Sequence, residues 1–212
     1  MKYGESIFDI AYLLFAIIMG SILVVRNKKP CKYMGAATLL LGGGDAFHLI
    51  PRVLNYFADG NYTAALGIGK LITSVTMTIF YILMYHIWLT VYGEDENQKL
   101  TISLYLLAIV RIILCLMPQN NWSSNDSPMI WGIIRNIPFI VIGMIIIRLY
   151  YLKRRDNKAL AYVWIYVLLS FLFYIPVATV VSFIPMLGML MLPKTVCYML
   201  IVWSFYISCK DI

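Results

Sequence analysis

The chain is poor in charge and poorest in acid. Only 13% of its 212 residues are Asp, Glu, Lys or Arg, with 10 acids against 17 Lys and Arg. A soluble domain carries about a quarter charged residues, so this composition argues against a soluble globular fold. Histidine is nearly absent, with only His48 and His86. Catalytic zinc usually takes three protein ligands, so no metal site is expected. Cys31, Cys115, Cys197 and Cys209 show no CxxC spacing. They are expected to behave as ordinary apolar residues and not as a disulfide framework. The first apolar run is followed by no small-x-small cleavage site and is interrupted near its start by Asp9. It reads as a retained first helix and not as a cleaved signal. No linker, low-complexity tract or internal repeat divides the chain, so one domain over 1–212 is expected, and an inverted-repeat transporter has no direct support.

What remains is apolar. Hydrophobic residues make up 62% of the chain, the mean hydropathy is +0.82, and runs of about 20 residues recur, the length that spans a bilayer as a helix. The expected fold class is an all-α integral membrane protein, a single seven-transmembrane-helix bundle with spans at about 7–25, 33–54, 65–91, 100–117, 128–151, 159–183 and 186–207. Ser127-Pro128 suits a helix start, because Ser can cap and Pro at the first position loses no needed donor. Pro138, Pro176 and Pro193 fall inside spans and are expected to kink them.

The net charge of +7 sits mostly in alternate short loops. No long basic face is available for a phosphate backbone, so nucleic acid is not an expected partner. Arg26, Lys28, Lys29 and Lys32 lie between spans one and two, Lys99 after span three, Lys153, Arg154, Arg155 and Lys158 between spans five and six, and Lys210 after span seven. The opposite loops, FADGNYT, PQNNWSSNDS and the turn near Ser182–Pro185, contain no Lys or Arg. The positive-inside rule then puts the N-terminus outside and the C-terminus in the cytoplasm. A multi-pass protein of a cell membrane is expected, with short loops that suit a bacterial cytoplasmic membrane. Small-residue faces permit a homo-oligomer without predicting one.

Several ionisable residues fall within the spans, where they are costly and mark function by default. The stretch Leu39–Arg52, LLLGGGDAFHLIPR, places Asp45, His48 and Arg52 at i, i+3 and i+7, one face of a helix. Its three glycines invite close approach by a helix or a ligand. Lys70, Arg111, Arg135 and Lys194, with Arg52, put five cations from five spans in the outer half of the bundle. Asp45 and Asp9 are the nearby acids. Arg52 and Lys70 can snorkel, whereas Arg111 and Arg135 have no acid within a turn of their own helix. A shared site facing the bundle interior is expected, with Arg52, Lys70, Arg111, Arg135, Asn136, Lys194 and Tyr198 as ligand-binding residues. Lys70, Ser74, Met77 and Tyr81 form a stripe on span three, span six offers Ser170 and Tyr174, and Gln119–Trp122 resemble a polar lid with an aromatic anchor.

Two function classes follow. In the first, a binding or transport protein, the cations receive an anionic small molecule or lipid headgroup, since Arg suits forked contacts to carboxylate and phosphate. In the second, an intramembrane enzyme acts on a lipid or phosphorylated substrate, with Asp45 orienting His48 as an acid–base pair and arginines stabilising developing charge. The inner halves carry few ionisable groups, chiefly His86 and Arg148, which favours a one-sided site. No cofactor is expected.

A lysine in the seventh span of an N-out bundle, Lys194, resembles the retinal-binding microbial rhodopsins in topology and in that residue. The resemblance would make Lys194 the retinal attachment point. Span three departs from it, with Lys70 and no carboxylate. The pair Gly44-Asp45 is also similar to Gly-Asp pairs in early helices of small multi-span lipid hydrolases and lyases, a likeness of two residues.

Overall fold

The computed structural model describes residues 2–124, 127–181 and 184–211. Seven α-helices follow one another: α1 Lys2–Val25, α2 Lys29–Phe57, α3 Thr63–Tyr92, α4 Gln98–Leu116, α5 Met129–Leu152, α6 Val163–Val180 and α7 Met191–Asp211. Short 3₁₀ turns occupy Pro118–Asn120, Trp122–Ser124 and Pro185–Leu190, and no strand occurs among the described residues. The turn expected near Ser182–Pro185 lies partly outside the described residues, as do residues 125 and 126 of the α4–α5 loop.

Six of the segments are long and apolar enough to cross a membrane: α1, α3, α4, α5, α6, and α7 with the turn before it, Met186–Asp211. The remaining helix, α2, has 29 residues, ample length, but its middle carries three glycines, Asp45, His48, Pro51 and Arg52. The outward surfaces fit a hydrocarbon solvent. Ile10, Leu14, Ile17 and Ile18 of α1 and Leu106, Ile109 and Ile113 of α4 are all exposed. The protein is a multi-pass, all-helical membrane protein.

Chain neighbours pack against each other, and α7 returns to α1 and α2 to close the bundle. Along α3 the core is continuous: Met77, Phe80, Tyr81, Met84, Tyr85 and Ile87 are buried. Local signals set the ends of helices. The Asn97 side chain accepts hydrogen bonds from the Lys99 and Leu100 amides and starts α4. Gly93, in the left-handed region at φ 63°, ends α3. The tightest pairing, α2 with α3, depends on two glycines. A Cβ on Gly44 would overlap the Thr76 hydroxyl, and one on Gly69 would overlap the Phe47 carbonyl. Thr73 donates to the Gly44 carbonyl across this seam at 3.1 Å.

Two expectations are corrected. Cys31 and Cys209 form a disulfide, with Cα atoms 5.6 Å apart across 178 residues of sequence. The first turn of α2 and the last turn of α7 meet at the same end of the bundle, a proximity that sequence spacing does not reveal. Arg26 supports this junction by donating to the Cys209 carbonyl at 2.8 Å. Cys115 and Cys197 are free and buried. Pro193 stands in the first turn of α7, where the amide it lacks has no intrahelical partner to lose, so it does not break the helix. Pro51, Pro138 and Pro176 are the prolines inside helices.

Candidate functional site

The helices place the intramembrane charges in two groups, one on each side of α2. On the α1 side, Tyr12 donates to Asp45 Oδ2 at 2.6 Å. Arg52 pairs with Glu5 at 3.4 Å, and Tyr56 donates to the second Glu5 oxygen at 2.9 Å. Asp9 is buried beside them, and its Oδ2 has no hydrogen-bond partner.

On the other side lies a cavity of about 330 Å³ between α2, α3, α4, α5, α6 and α7. Its basic lining is His48, Lys70, Arg111, Arg135 and Lys194; Thr73, Ser74, Ser127 and Tyr174 add hydroxyls. The remaining wall is mostly apolar and includes Met77, Phe139, Val177, Ala178, Val181 and Met191. His48 lies about two and a half turns from the end of α2, and Arg111 lies between one and two turns from the end of α4. The cavity therefore occupies the half of the bundle remote from the basic loops.

Each cation has a distinct setting. Arg111 is 2% exposed. Its Cζ sits 3.2 Å from the centre of the Phe139 ring, while Nε and Nη1 have no hydrogen-bond partner. Lys194 lies over two tyrosines, 4.5 Å from the Tyr174 ring centre and 5.7 Å from that of Tyr198. Cation–π contacts of this kind offset part of the cost of burying charge, by about 2 kcal/mol when desolvated. Asp45 and Arg111 are both within electrostatic reach of Lys194. Arg135 donates to Asn120 Oδ1 at 2.5 Å and to the Ser127 hydroxyl at 2.6 Å, and its Cζ lies 4.5 Å from the Trp122 ring centre.

Arg135 thereby ties the α4–α5 loop to the cavity. The loop is fastened further by Trp122 Nε1, which donates to the Cys115 carbonyl at 2.8 Å, and by Asn120 Nδ2, which donates to the carbonyls of Leu114 and Met117. Gly67 of α3 completes the seat, because a Cβ there would overlap the Trp122 carbonyl. Trp122 belongs to the cavity lining and roofs it on the loop side. Below the cavity, Tyr81 meets Phe139 edge-on at 5.1 Å and Phe171 at 5.6 Å, and its hydroxyl bonds that of Tyr198 at 3.2 Å. This aromatic floor separates the cavity from the other half of the bundle.

The structure brings together His48, Lys70, Arg111, Arg135 and Lys194 around the cavity and leaves four expected residues off its wall. Asp45 turns to Tyr12, and among the described residues no hydrogen bond joins it to His48, whose Nδ1 is unpartnered. Asp45 thus has Tyr12, and not His48, as its hydrogen-bond partner. Arg52 is engaged by Glu5. Asn136 supports the site from behind, donating to Gly132 and accepting from Tyr174 at 2.9 Å. Tyr198 forms part of the floor. Of the span-three stripe, Lys70, Ser74 and Met77 line the cavity, and Tyr81 lies below it. Sequence reasoning missed Phe139, Val177, Ala178 and Val181. Phe139 was within reach, since it follows Arg135 by four residues and so shares its helical face; Val177, Ala178 and Val181 follow Tyr174 by three, four and seven residues and share its face in the same way. No protein-family model, no curated protein and no solved structure matches this chain.

Proposed function

We propose that this protein binds an anionic small molecule or lipid headgroup in a one-sided cationic cavity within the membrane. The observation that carries this reading is Arg111. It is almost fully buried, it lines the cavity, two of its nitrogens lack partners, and no carboxylate pairs with it among the described residues. A buried charge with no opposite charge beside it costs several kcal/mol, which the Phe139 ring offsets only in part, so the site favours an occupant that supplies negative charge and acceptor atoms. Lys194, Lys70 and His48 add positive or donor character around the same volume. Given the loop charges, the cavity faces the outside of the cell.

The aromatic floor supports binding over a continuous pathway. Tyr81, Phe139 and Phe171 are buried and in mutual ring contact, and passage would require them to separate. The enzyme reading loses its proposed orienting group, because Asp45 is bonded on the α1 side. The retinal reading is weakened by the lining, which sets Arg111 and Lys70 in the same cavity as Lys194.

The test is calorimetric titration of the protein in lipid nanodiscs with hexanoate, using hexanol as the uncharged equivalent. Hexanoate is expected to bind, and Arg111→Gln to lose about a hundredfold in affinity, the effect of one charge-assisted interaction of roughly 2–3 kcal/mol. Equal binding of hexanol and hexanoate would sink the anion reading.

A further inference from the structure

The lining of the cavity points to the kind of anion it takes. On the α4 and α7 side, Arg111 and Lys194 carry the charge. The α6 side presents Val177, Ala178 and Val181, with Met129 of α5 and Met191 of α7 adding apolar surface. Tyr174 is the one polar residue that α6 contributes to the lining, and its hydroxyl is taken up by Asn136. A volume of about 330 Å³ holds on the order of ten water-sized bodies, much more than one tetrahedral oxyanion. An inorganic phosphate or sulfate bound at Arg111 would leave the α6 side filled with water against apolar walls, an unfavourable arrangement. Ligand sites of this construction, apolar walls with few convergent polar groups, receive organic molecules.

We propose, resting on the anion-binding reading, that the ligand is an amphiphilic oxyanion: a carboxylate or phosphate monoester head held by Arg111 and Lys194, and a short alkyl or aryl body laid along Val177, Ala178 and Val181. The aromatic rings that stack on the cations also shape the head site. Phe139 covers one face of the Arg111 guanidinium at 3.2 Å, which leaves the edge donors for the ligand. Tyr174 holds Lys194 at 4.5 Å and is itself fixed by its bond to Asn136. The head site is thus built from side chains held by other side chains, the preorganisation that lowers the cost of binding. Two sources supply this chemistry, a soluble organic acid or ester contained by the cavity, and a single-chain membrane lipid whose tail leaves it.

The experiment compares hexyl phosphate, inorganic phosphate and hexadecyl phosphate on the full-length protein in nanodiscs by calorimetry, with protein-free nanodiscs subtracted. Hexyl phosphate is expected to bind at least tenfold more tightly than inorganic phosphate, since burying a few methylene groups is worth that factor. Ala178→Phe, which fills the apolar side, is expected to remove this advantage and leave the inorganic phosphate signal alone. Should that variant fail to fold, the wild-type ligand series decides by itself. Tighter binding of the hexadecyl ester assigns the site to a membrane amphiphile, and equal or weaker binding assigns it to a soluble one; both uphold the proposal. Inorganic phosphate binding as tightly as hexyl phosphate overturns it and leaves the anion reading standing. Loss of charge dependence in the hexanoate–hexanol comparison removes that broader reading instead.

Discussion

On the α1 side of α2, Glu5 receives both Arg52 and Tyr56, and Tyr12 meets Asp45. On the cavity side, Arg111 and Lys194 rest on aromatic faces, Arg135 holds a loop, and two Arg111 nitrogens face no acceptor. Both regions bury ionisable groups at similar depth in the same bundle. In the first, protein groups largely satisfy one another, with Asp9 Oδ2 and the Ser6 hydroxyl of α1 the exceptions among the described residues. In the second, compensation comes from rings, which offset charge without using up donors. Charge satisfied by charge describes a helix junction, and charge held by rings with donors left over describes a place for a ligand.

Arg111→Gln and Arg52→Gln test this contrast most directly. Arg111→Gln is expected to weaken hexanoate binding about a hundredfold and to leave the melting temperature unchanged or higher, because it removes a buried charge that the Phe139 ring offsets only in part. Arg52→Gln is expected to do the reverse: unchanged affinity, and a destabilisation of about 1–3 kcal/mol from stranding Glu5. Calorimetry and thermal melts read both. Equal losses of affinity in the two variants would abolish the distinction between the regions.

The next effect concerns the roof. Gly67→Ala places a methyl group against the Trp122 carbonyl and is expected to cost about 1–3 kcal/mol as overpacking. Trp122 emission should shift to the red and become more accessible to acrylamide, read against a Trp122→Phe reference. Gly43→Ala is the control from α2, since a Cβ there meets nothing within 4 Å, and it is expected to change neither stability nor quenching.

A smaller effect crosses between the regions. Asp45 belongs by hydrogen bonding to the α1 side, yet lies within electrostatic reach of Lys194. Asp45→Asn keeps an acceptor for Tyr12 and removes a negative charge near the cavity. Anion affinity should therefore rise, by roughly two- to tenfold at the effective dielectric of a protein interior. Unchanged affinity would show that the α1 side is electrostatically sealed from the cavity. A fall would return Asp45 to the site itself.

The legibility of these features in sequence follows their range. Spans were legible because a bilayer demands about 20 apolar residues in a row, and α2 was found despite its polar middle because its flanks are apolar and its length is sufficient. The convergence of Lys70, Arg111, Arg135 and Lys194 was legible because depth follows from rise per residue once the topology is drawn. Partnerships were not. Asp45 and His48 at i and i+3 are separated by about 60° around the helix axis, enough for one to face α1 and the other the cavity. Arg135 looks like a ligand residue in sequence, and its bonds to Asn120 and Ser127 depend on how the loop folds back. The apolar side of the cavity is marked in α6 only by Tyr174, whose face Val177, Ala178 and Val181 continue.

The disulfide gives the last and smallest predicted effect on binding. Cys31 and Cys209 join α2 to α7 at the end of the bundle opposite the cavity, so Cys31→Ser should leave hexanoate affinity unchanged. Denatured protein is expected to show two reactive thiols, Cys115 and Cys197, before reduction and four after it. The same bond bears on orientation. The orientation proposed from loop charge would put this end in the cytoplasm, where thiols are normally kept reduced, whereas a lasting disulfide belongs to an oxidising compartment. Labelling intact cells with a membrane-impermeant maleimide, after mild reduction, separates the two. In a Cys115→Ser, Cys197→Ser background, absence of labelling keeps the cavity on the outer side. Labelling at Cys31 or Cys209 inverts the bundle and moves the cavity, with its whole set of cations, to the cytoplasmic side.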